Sequence, residues 1–269
     1  MRHILRLILS FLILKEICSY EKAHNEDVFT VRVNTFQRPD LLRLFLAHYS
    51  TCSSVSHISI VWSDTKATPP PLPSHSYRMN VSYEVHGLNS LNNRFRNLSA
   101  IHTEAVLSID DDGIPFYFIV YYEACYLFMA VIVSCSSLAF AFQVWSANPH
   151  ALVGFSPRLH AFDPYTGLHK YLRWQHTWWN GMYSIVLTKA AFLHRDYLIA
   201  FQRTIPSDVL AMIDSGRNGE DIAMAHVVAN ITKAAPVWVK VEAYETADSG
   251  ISSGGKKHFS DRGKSFAYS

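Results

Sequence analysis

A chain of 269 residues with 49% hydrophobic and 17% charged residues can bury a large core and is not disordered by composition. Its formal charge of +2 and lack of a basic block leave no footprint for a nucleic-acid partner, and none is expected; the 14 histidines make the charge climb as pH falls toward about 6. Four cysteines (Cys18, Cys52, Cys125, Cys135) are too few for a disulfide scaffold.

Residues 1–20 read as a targeting segment. Arg2, His3 and Arg6 give a basic start, and Ile4, Leu5 and Leu7 to Leu14 form an apolar run shorter than the roughly 20 residues of a spanning helix. A cleaved signal peptide and a short signal-anchor both fit, and either delivers the chain to the secretory lumen, with the second adding membrane association through the N-terminus. The sequons at Asn80, Asn97 and Asn230 agree with that compartment.

Val28 to Thr35 alternates like a first strand. Phe36 to Asp40 is a turn, and Pro39 or Asp40 opens a helix through Tyr49. His57 to Trp62 is a second strand that ends at Ser63-Asp64; the Pro-rich Thr68 to Ser76 is a surface loop, and Met79 to Val85 a third strand. After Leu88-Asn89-Ser90-Leu91-Asn92-Asn93-Arg94-Phe95 comes Ala105 to Ile109, a buried strand running into Asp110-Asp111-Asp112. Leu138 to Trp145 is an apolar helix, Leu152 to Phe155 a strand and Ser184 to Phe192 a further strand-like run. The aromatic stretch Trp174 to Tyr183 is either core or a wall on which a sugar stacks. Pro206 to Ile213 and Ile222 to Ala229 are helices, with Asp221 at or near the N-cap of the second; Val237 to Val241 is a late strand. Strands alternating with helices predict an α/β fold with a mostly parallel sheet.

The three aspartates are the centre of the chain. Open α/β sheets bind ligands at the carboxyl edge of their strands, which is where this cluster falls. Adjacent carboxylates repel one another, and hard oxygen ligands suit Mg²⁺ or Mn²⁺, ions that in turn hold diphosphates. The alternative is a solvated acidic loop. A Ca²⁺ loop of the EF-hand type is excluded, because the twelfth position from Asp110 is Tyr121 rather than Glu.

Five stretches stand out in order: Asn34-Thr35-Phe36-Gln37-Arg38-Pro39-Asp40, Ser90 to Phe95, Ser108 to Asp112, Phe140-Ala141-Phe142-Gln143-Val144-Trp145 and Glu220-Asp221-Ile222-Ala223-Met224. Taken together they resemble the exostosin-like glycosyltransferases, family 64, and within them the plant glycosylinositol phosphorylceramide mannosyltransferase branch. The resemblance implies a nucleotide-diphospho-sugar transferase (GT-A type) fold over residues 28–265. It implies a metal-dependent retaining enzyme using Mn²⁺ (or Mg²⁺), a nucleotide-sugar donor (GDP-mannose or a UDP-N-acetylhexosamine), a glycolipid or glycan acceptor, and a place in the Golgi or ER lumen. Carried over by position, Asp112 is the metal ligand, and Asp110 and Asp111 bind ribose and donor sugar. Asn34, Arg38, Asn93 and Asp64 line the nucleotide pocket. Asp221 is the catalytic carboxylate, Glu220 contacts the donor sugar, and Arg262 reaches the diphosphate.

The chain departs from the family pattern in three places. An apolar stretch from Gly113 follows the aspartates directly; residues 113–130 are expected to be an insertion, a retained intron or gene-model error, since joining Asp112 to Val131 restores the family spacing. A membrane span is the competing reading of Gly113 to Val133, and Pro115, Glu123 and the lack of a basic flank count against it. Gly219 and Ser265 stand where the family has a cysteine pair, whereas Cys52 and Cys135 have family counterparts whose pairing is left open. The C-terminus is expected to be truncated beyond Arg262. The runner-up reading of function is a catalytically inactive homologue acting as a binding or assembly partner.

Overall fold

The computed structural model describes residues 27–72, 77–96, 99, 101–111, 133–172, 176–177 and 180–240. The targeting segment, the apolar stretch 113–130, Asp112, Trp174, Trp178, Trp179, Arg262 and Ser265 lie outside the described residues.

In chain order the elements are β1 (Phe29–Thr35), α1 (Pro39–Tyr49), β2 (Val55–Trp62), β3 (Asn80–Val85), a 3₁₀ helix (Leu91–Phe95), β4 (Ala105–Asp110) and α2 (Cys135–Ser146). Then come β5 (Val153–Gly154), β6 (Pro157–Asp163), β7 (Leu168–Leu172), β8 (Ile185–Val186), β9 (Ala190–His194), α3 (Asp196–Thr204), α4 (Ser207–Gly216), α5 (Glu220–Thr232) and β10 (Val237–Trp238). Seven strands form one sheet in the order β10-β5-β9-β4-β1-β2-β3. Its pairs are parallel except where β9 meets β4 and β5. The mixed α/β architecture with a mostly parallel central sheet is therefore present. A smaller sheet, β7-β6-β8, stands beside it.

The alternation of β1 sorts the molecule into two layers. Phe29, Val31 and Val33 face a core shared with Phe45 and Tyr49 of α1, Ile58 and Ile60 of β2, Leu107 and Ile109 of β4, and Phe142 of α2. Thr30, Arg32 and Asn34 fall on the other face by the two-residue period. There a second core packs Val106 and Leu193 against α3 and α5 through Leu198, Phe201, Met224 and Val228. A sheet covered on both faces explains why its strands read as near-continuous apolar runs.

Two local features fix the packing. Cys52, just after α1, is disulfide-bonded to Cys135, the first residue of α2, closing a loop of 83 residues. The pair ties together the two helices on one face, and such bonds persist in oxidising compartments. At Gly154 a Cβ would stand 2.5 Å from the Ala190 carbonyl oxygen and 2.6 Å from the Ala191 Cβ. Only glycine lets β5 approach β9 this closely.

Some sequence expectations need correction. The run Ser184 to Phe192 is not one strand: β8 joins the small sheet, β9 the large one, and Thr188-Lys189 turn between them. The β6–β7 hairpin and α3 were not anticipated. The hairpin is half-exposed and rich in His and Lys, so it lacks a clean period, while α3 buries only Tyr197, Leu198 and Phe201. Helix α5 begins at Glu220, two residues earlier than expected, with Gly219 as its N-cap at φ 97°, a conformation that costs glycine little. No helix among the described residues is long and apolar enough to cross a membrane.

Candidate active site

From β1 the chain moves outward through β2 to β3, then returns to place β4 on the opposite side of β1. This reversal makes the carboxyl ends of β1 and β4 the topological switch point, the place where such sheets form a ligand crevice. Asn34 lies opposite Asp110 in the ladder, and the Asp111 N–H donates to the Asn34 carbonyl at 3.3 Å. The third aspartate of the cluster, Asp112, lies outside the described residues.

Asp111 is fully engaged within the chain. The Thr35 hydroxyl donates to Oδ2 at 2.6 Å, and the Arg38 guanidinium pairs with Oδ1 at 2.7 Å. Arg38 reaches it because the chain turns sharply after β1, with Gln37 in the left-handed region at φ 57° before Pro39 starts α1. Asn34, Arg38 and Asp111 are thus brought to one edge, with Arg38 turned onto the carboxylate.

The centre of the site is Arg94, a residue that the sequence reading quoted within a motif but did not single out. It is 2% exposed. Its guanidinium pairs with Asp110 at the end of β4 and with Asp221 Oδ1 at 3.0 Å; Glu220 Oε1 lies 3.8 Å away. Asp221 and Glu220 occupy the first turn of α5, where the helix dipole favours negative charge. The buried Thr188 hydroxyl also donates to Asp221 Oδ1, at 2.5 Å. The plain N-cap alternative for Asp221 does not hold, because Gly219 occupies the cap and the carboxylate is spent on Arg94 and Thr188. The turn between β8 and β9 exists to bring Thr188 here.

The Arg94 segment is tied down at Ser90, Asn92, Asn93 and Phe95. Ser90 Oγ and Asn92 Nδ2 donate to Asp214 Oδ1 of α4 at 2.6 and 2.8 Å. Phe95 packs on Phe201 of α3 with ring centroids 4.7 Å apart. Asn93 is buried, and its amide nitrogen donates to Ser63 Oγ at 3.0 Å and to the Leu88 carbonyl at 2.8 Å. It therefore joins the loop to the end of β2, behind the crevice. Asp64 is also buried, and its carboxylate accepts the Lys66 N–H at 2.8 Å as a local turn. Tyr183, from the aromatic stretch, packs edge-on against Trp238 at 5.9 Å.

The donor set suits a hard divalent cation in kind, because the carboxylates that close β4 supply only oxygen ligands. The side chain of Asp110 is 25% exposed, whereas Asp111 has none exposed. A second group, His48, Cys52 and Cys135, brings three ligand atoms together. Both of its sulfurs are spent in the disulfide, so it offers no thiolate for a metal.

Two signals in the sequence point to what was missed. An arginine embedded in Asn93-Arg94-Phe95 beside a buried aromatic needs carboxylate partners, and the acidic pair of α5 was available. Arg32 sits mid-strand on a face covered by protein, which also demands a partner.

A model of the glycosyl transferase family 64 domain matches residues 29–123 and 128–267. The chain is 36% identical over 241 residues to a glycosylinositol phosphorylceramide mannosyl transferase 1 from Arabidopsis thaliana, covering 84% of this chain and 66% of that protein. It is 32% identical over 234 residues to human exostosin-like 2, covering 84% of this chain and 64% of that protein. It is 32% identical over 214 residues to human exostosin-2, covering 78% of this chain and 27% of that protein. The chain thus spans less than two thirds of the length of each.

Proposed function

The chain belongs to glycosyl transferase family 64, and on that premise we propose that it is a metal-dependent retaining glycosyltransferase of the GT-A type. It moves a sugar from a nucleotide-diphospho-sugar, GDP-mannose or a UDP-N-acetylhexosamine, to a glycolipid or glycan acceptor. The lumen of the secretory pathway, Golgi or ER, is its place of work, a reading supported by the disulfide. The observation that carries the proposal is the Arg94 cluster. One buried arginine draws the end of β4 and the start of α5, two segments distant in sequence, into a single acidic site at the switch point.

The reaction breaks the bond between the anomeric carbon and the diphosphate and leaves negative charge on the phosphate oxygens. Asp112 would hold Mn²⁺ (or Mg²⁺), which would supply Lewis-acid stabilisation of that charge. Arg262 would add a cation to stabilise the leaving diphosphate. Asp221 faces positive charge developing at the anomeric centre. Its two partners both fall on Oδ1, an arrangement that orients the carboxylate before the donor arrives. Glu220 contacts the donor sugar, Asp110 offers its part-exposed carboxylate to ribose or sugar, Asp111 acts from beneath by holding Arg38, and Asn34, Arg38, Asn93 and Asp64 shape the nucleotide side.

The test is Mn²⁺-dependent hydrolysis of GDP-mannose, UDP-GlcNAc and UDP-GalNAc by the full chain and by a form lacking Gly113–Ala130. Turnover of one donor, abolished by chelation and by Asp221→Asn or Asp112→Asn in folded protein, is the expected outcome. Folded protein of both forms that neither turns over donor nor binds nucleoside diphosphate would overturn the proposal in favour of an inactive homologue. Turnover by the shortened form alone would mark the apolar stretch as foreign to the enzyme.

A further inference from the structure

We propose that Arg32 is a positioning residue of this site, a clamp that holds the Arg94 segment from within the sheet. The inference deepens the proposed function and rests on it for the identity of the donor.

Arg32 lies in the middle of β1, between β2 and β4, with no exposed surface. Its side chain leaves the sheet on the face opposite the α1–α2 core. Nε donates to the Arg94 carbonyl at 2.5 Å, and Nη2 donates to the Asn93 carbonyl at 3.2 Å and to the Arg96 carbonyl. Glu84 of β3 holds the guanidinium in a bidentate pair at 2.5 and 2.8 Å. Ser59 of β2 bridges the two, accepting from Arg32 at 3.2 Å and donating to Glu84 at 2.7 Å.

These carbonyls close the 3₁₀ helix, where backbone oxygens run short of partners within the helix; that of Asn93 also accepts the Arg96 N–H at 3.1 Å. Gln202 of α3 donates to the remaining one, Phe95, at 2.9 Å. Every carbonyl from Asn93 to Arg96 therefore accepts a side-chain donor. The Arg94 backbone is held from below by Arg32 while its side chain reaches Asp110 and Asp221.

Stability alone is a poor account of this pair. A buried ion pair is often replaceable by apolar residues of similar volume at no cost to stability. An apolar pair cannot hold three carbonyl oxygens at set distances, which the forked geometry of a guanidinium does. A site whose chemistry depends on Arg94 needs that backbone fixed before the donor binds.

The experiment compares the full chain with Arg32→Lys and with Arg32→Leu/Glu84→Leu. The readouts are thermal unfolding, amide hydrogen exchange of residues 91–96, and KM and kcat for donor hydrolysis. The expected result is a folded double variant in which exchange of residues 91–96 accelerates about tenfold while β1, β2 and β4 stay protected. Its kcat/KM falls about ten- to a hundredfold, the scale of a misplaced binding group. Arg32→Lys keeps the charge, loses the fork and shows the same defect in smaller measure. Unchanged exchange of residues 91–96 in folded variants would overturn the clamp. Unchanged KM and kcat would reduce it to a structural contact. If the double variant does not fold, exchange in Arg32→Lys decides. If the parent chain has no donor activity, the functional reading fails, while the exchange comparison still decides whether Arg32 holds the segment.

Discussion

Replacing Arg94 by Met removes a cation that Asp110, Glu220 and Asp221 share and keeps most of the side-chain length. At an effective dielectric of about 20, attraction at 3.0 Å to Asp221 is about 5.5 kcal/mol and at 3.8 Å to Glu220 about 4.4 kcal/mol. Desolvation of the guanidinium offsets much of this. Breaking a buried pair while its partners stay behind costs about 3–5 kcal/mol net, and that is the expected loss for Arg94→Met. With a urea m-value of about 3 kcal/mol/M, the midpoint moves down by about 1–1.7 M. Urea unfolding followed by tryptophan fluorescence and by far-ultraviolet circular dichroism measures it. Arg94→Met/Asp221→Asn strands one carboxylate fewer and recovers part of the loss. A midpoint within about 0.3 M of the parent, equivalent to ~1 kcal/mol, would refute the reasoning and show that water already solvates the three carboxylates.

Removing the Cys52–Cys135 bridge, by Cys52→Ser/Cys135→Ser, opens a cross-linked loop of 83 residues in the unfolded chain and is expected to cost about 4.5 kcal/mol by chain entropy. An unchanged urea midpoint in the double variant would refute that estimate. Stability is expected to fall as pH drops below about 6.5. Burial above all holds His86, His160 and His194 below their ordinary pKa, so the unfolded chain takes up protons before the folded one. Melting temperatures from pH 8 to 5 check this, and a slope that His160→Gln leaves unchanged would remove His160 from the account. Gly154→Ala forces β5 and β9 apart, since the new methyl group meets backbone at 2.5 Å. A loss of about 1–3 kcal/mol is expected, measured by the same unfolding curve.

The periodicities that set the sheet were legible from residues alone. Val28 to Thr35 alternates with a two-residue period, His57 to Trp62 and Ala105 to Ile109 are short β-prone apolar runs, and each appears as a strand of the mostly parallel sheet. The placing of Asn34 beside Asp110 follows from the same logic, because both close strands that neighbour one another at the switch point. The small sheet was not legible. Its hairpin is half-solvated, and a half-solvated strand carries no strong apolar period. The break of Ser184 to Phe192 into β8 and β9 was hidden for a related reason. Thr188 reads as one more β-branched residue until Asp221 is known to need its hydroxyl.

What the sequence determined by itself is local: which segments are strands or helices, which carboxylates close a strand, and which motifs lie in the family's order. Local periodicity and turn chemistry are carried by neighbouring residues, so they survive in a linear text. The pairing of Arg94 with Asp110 and Asp221, of Arg32 with Glu84, and of Cys52 with Cys135 was decided only in three dimensions. A buried charge or thiol states that it needs a partner, and only the folded chain brings one of several distant candidates within reach.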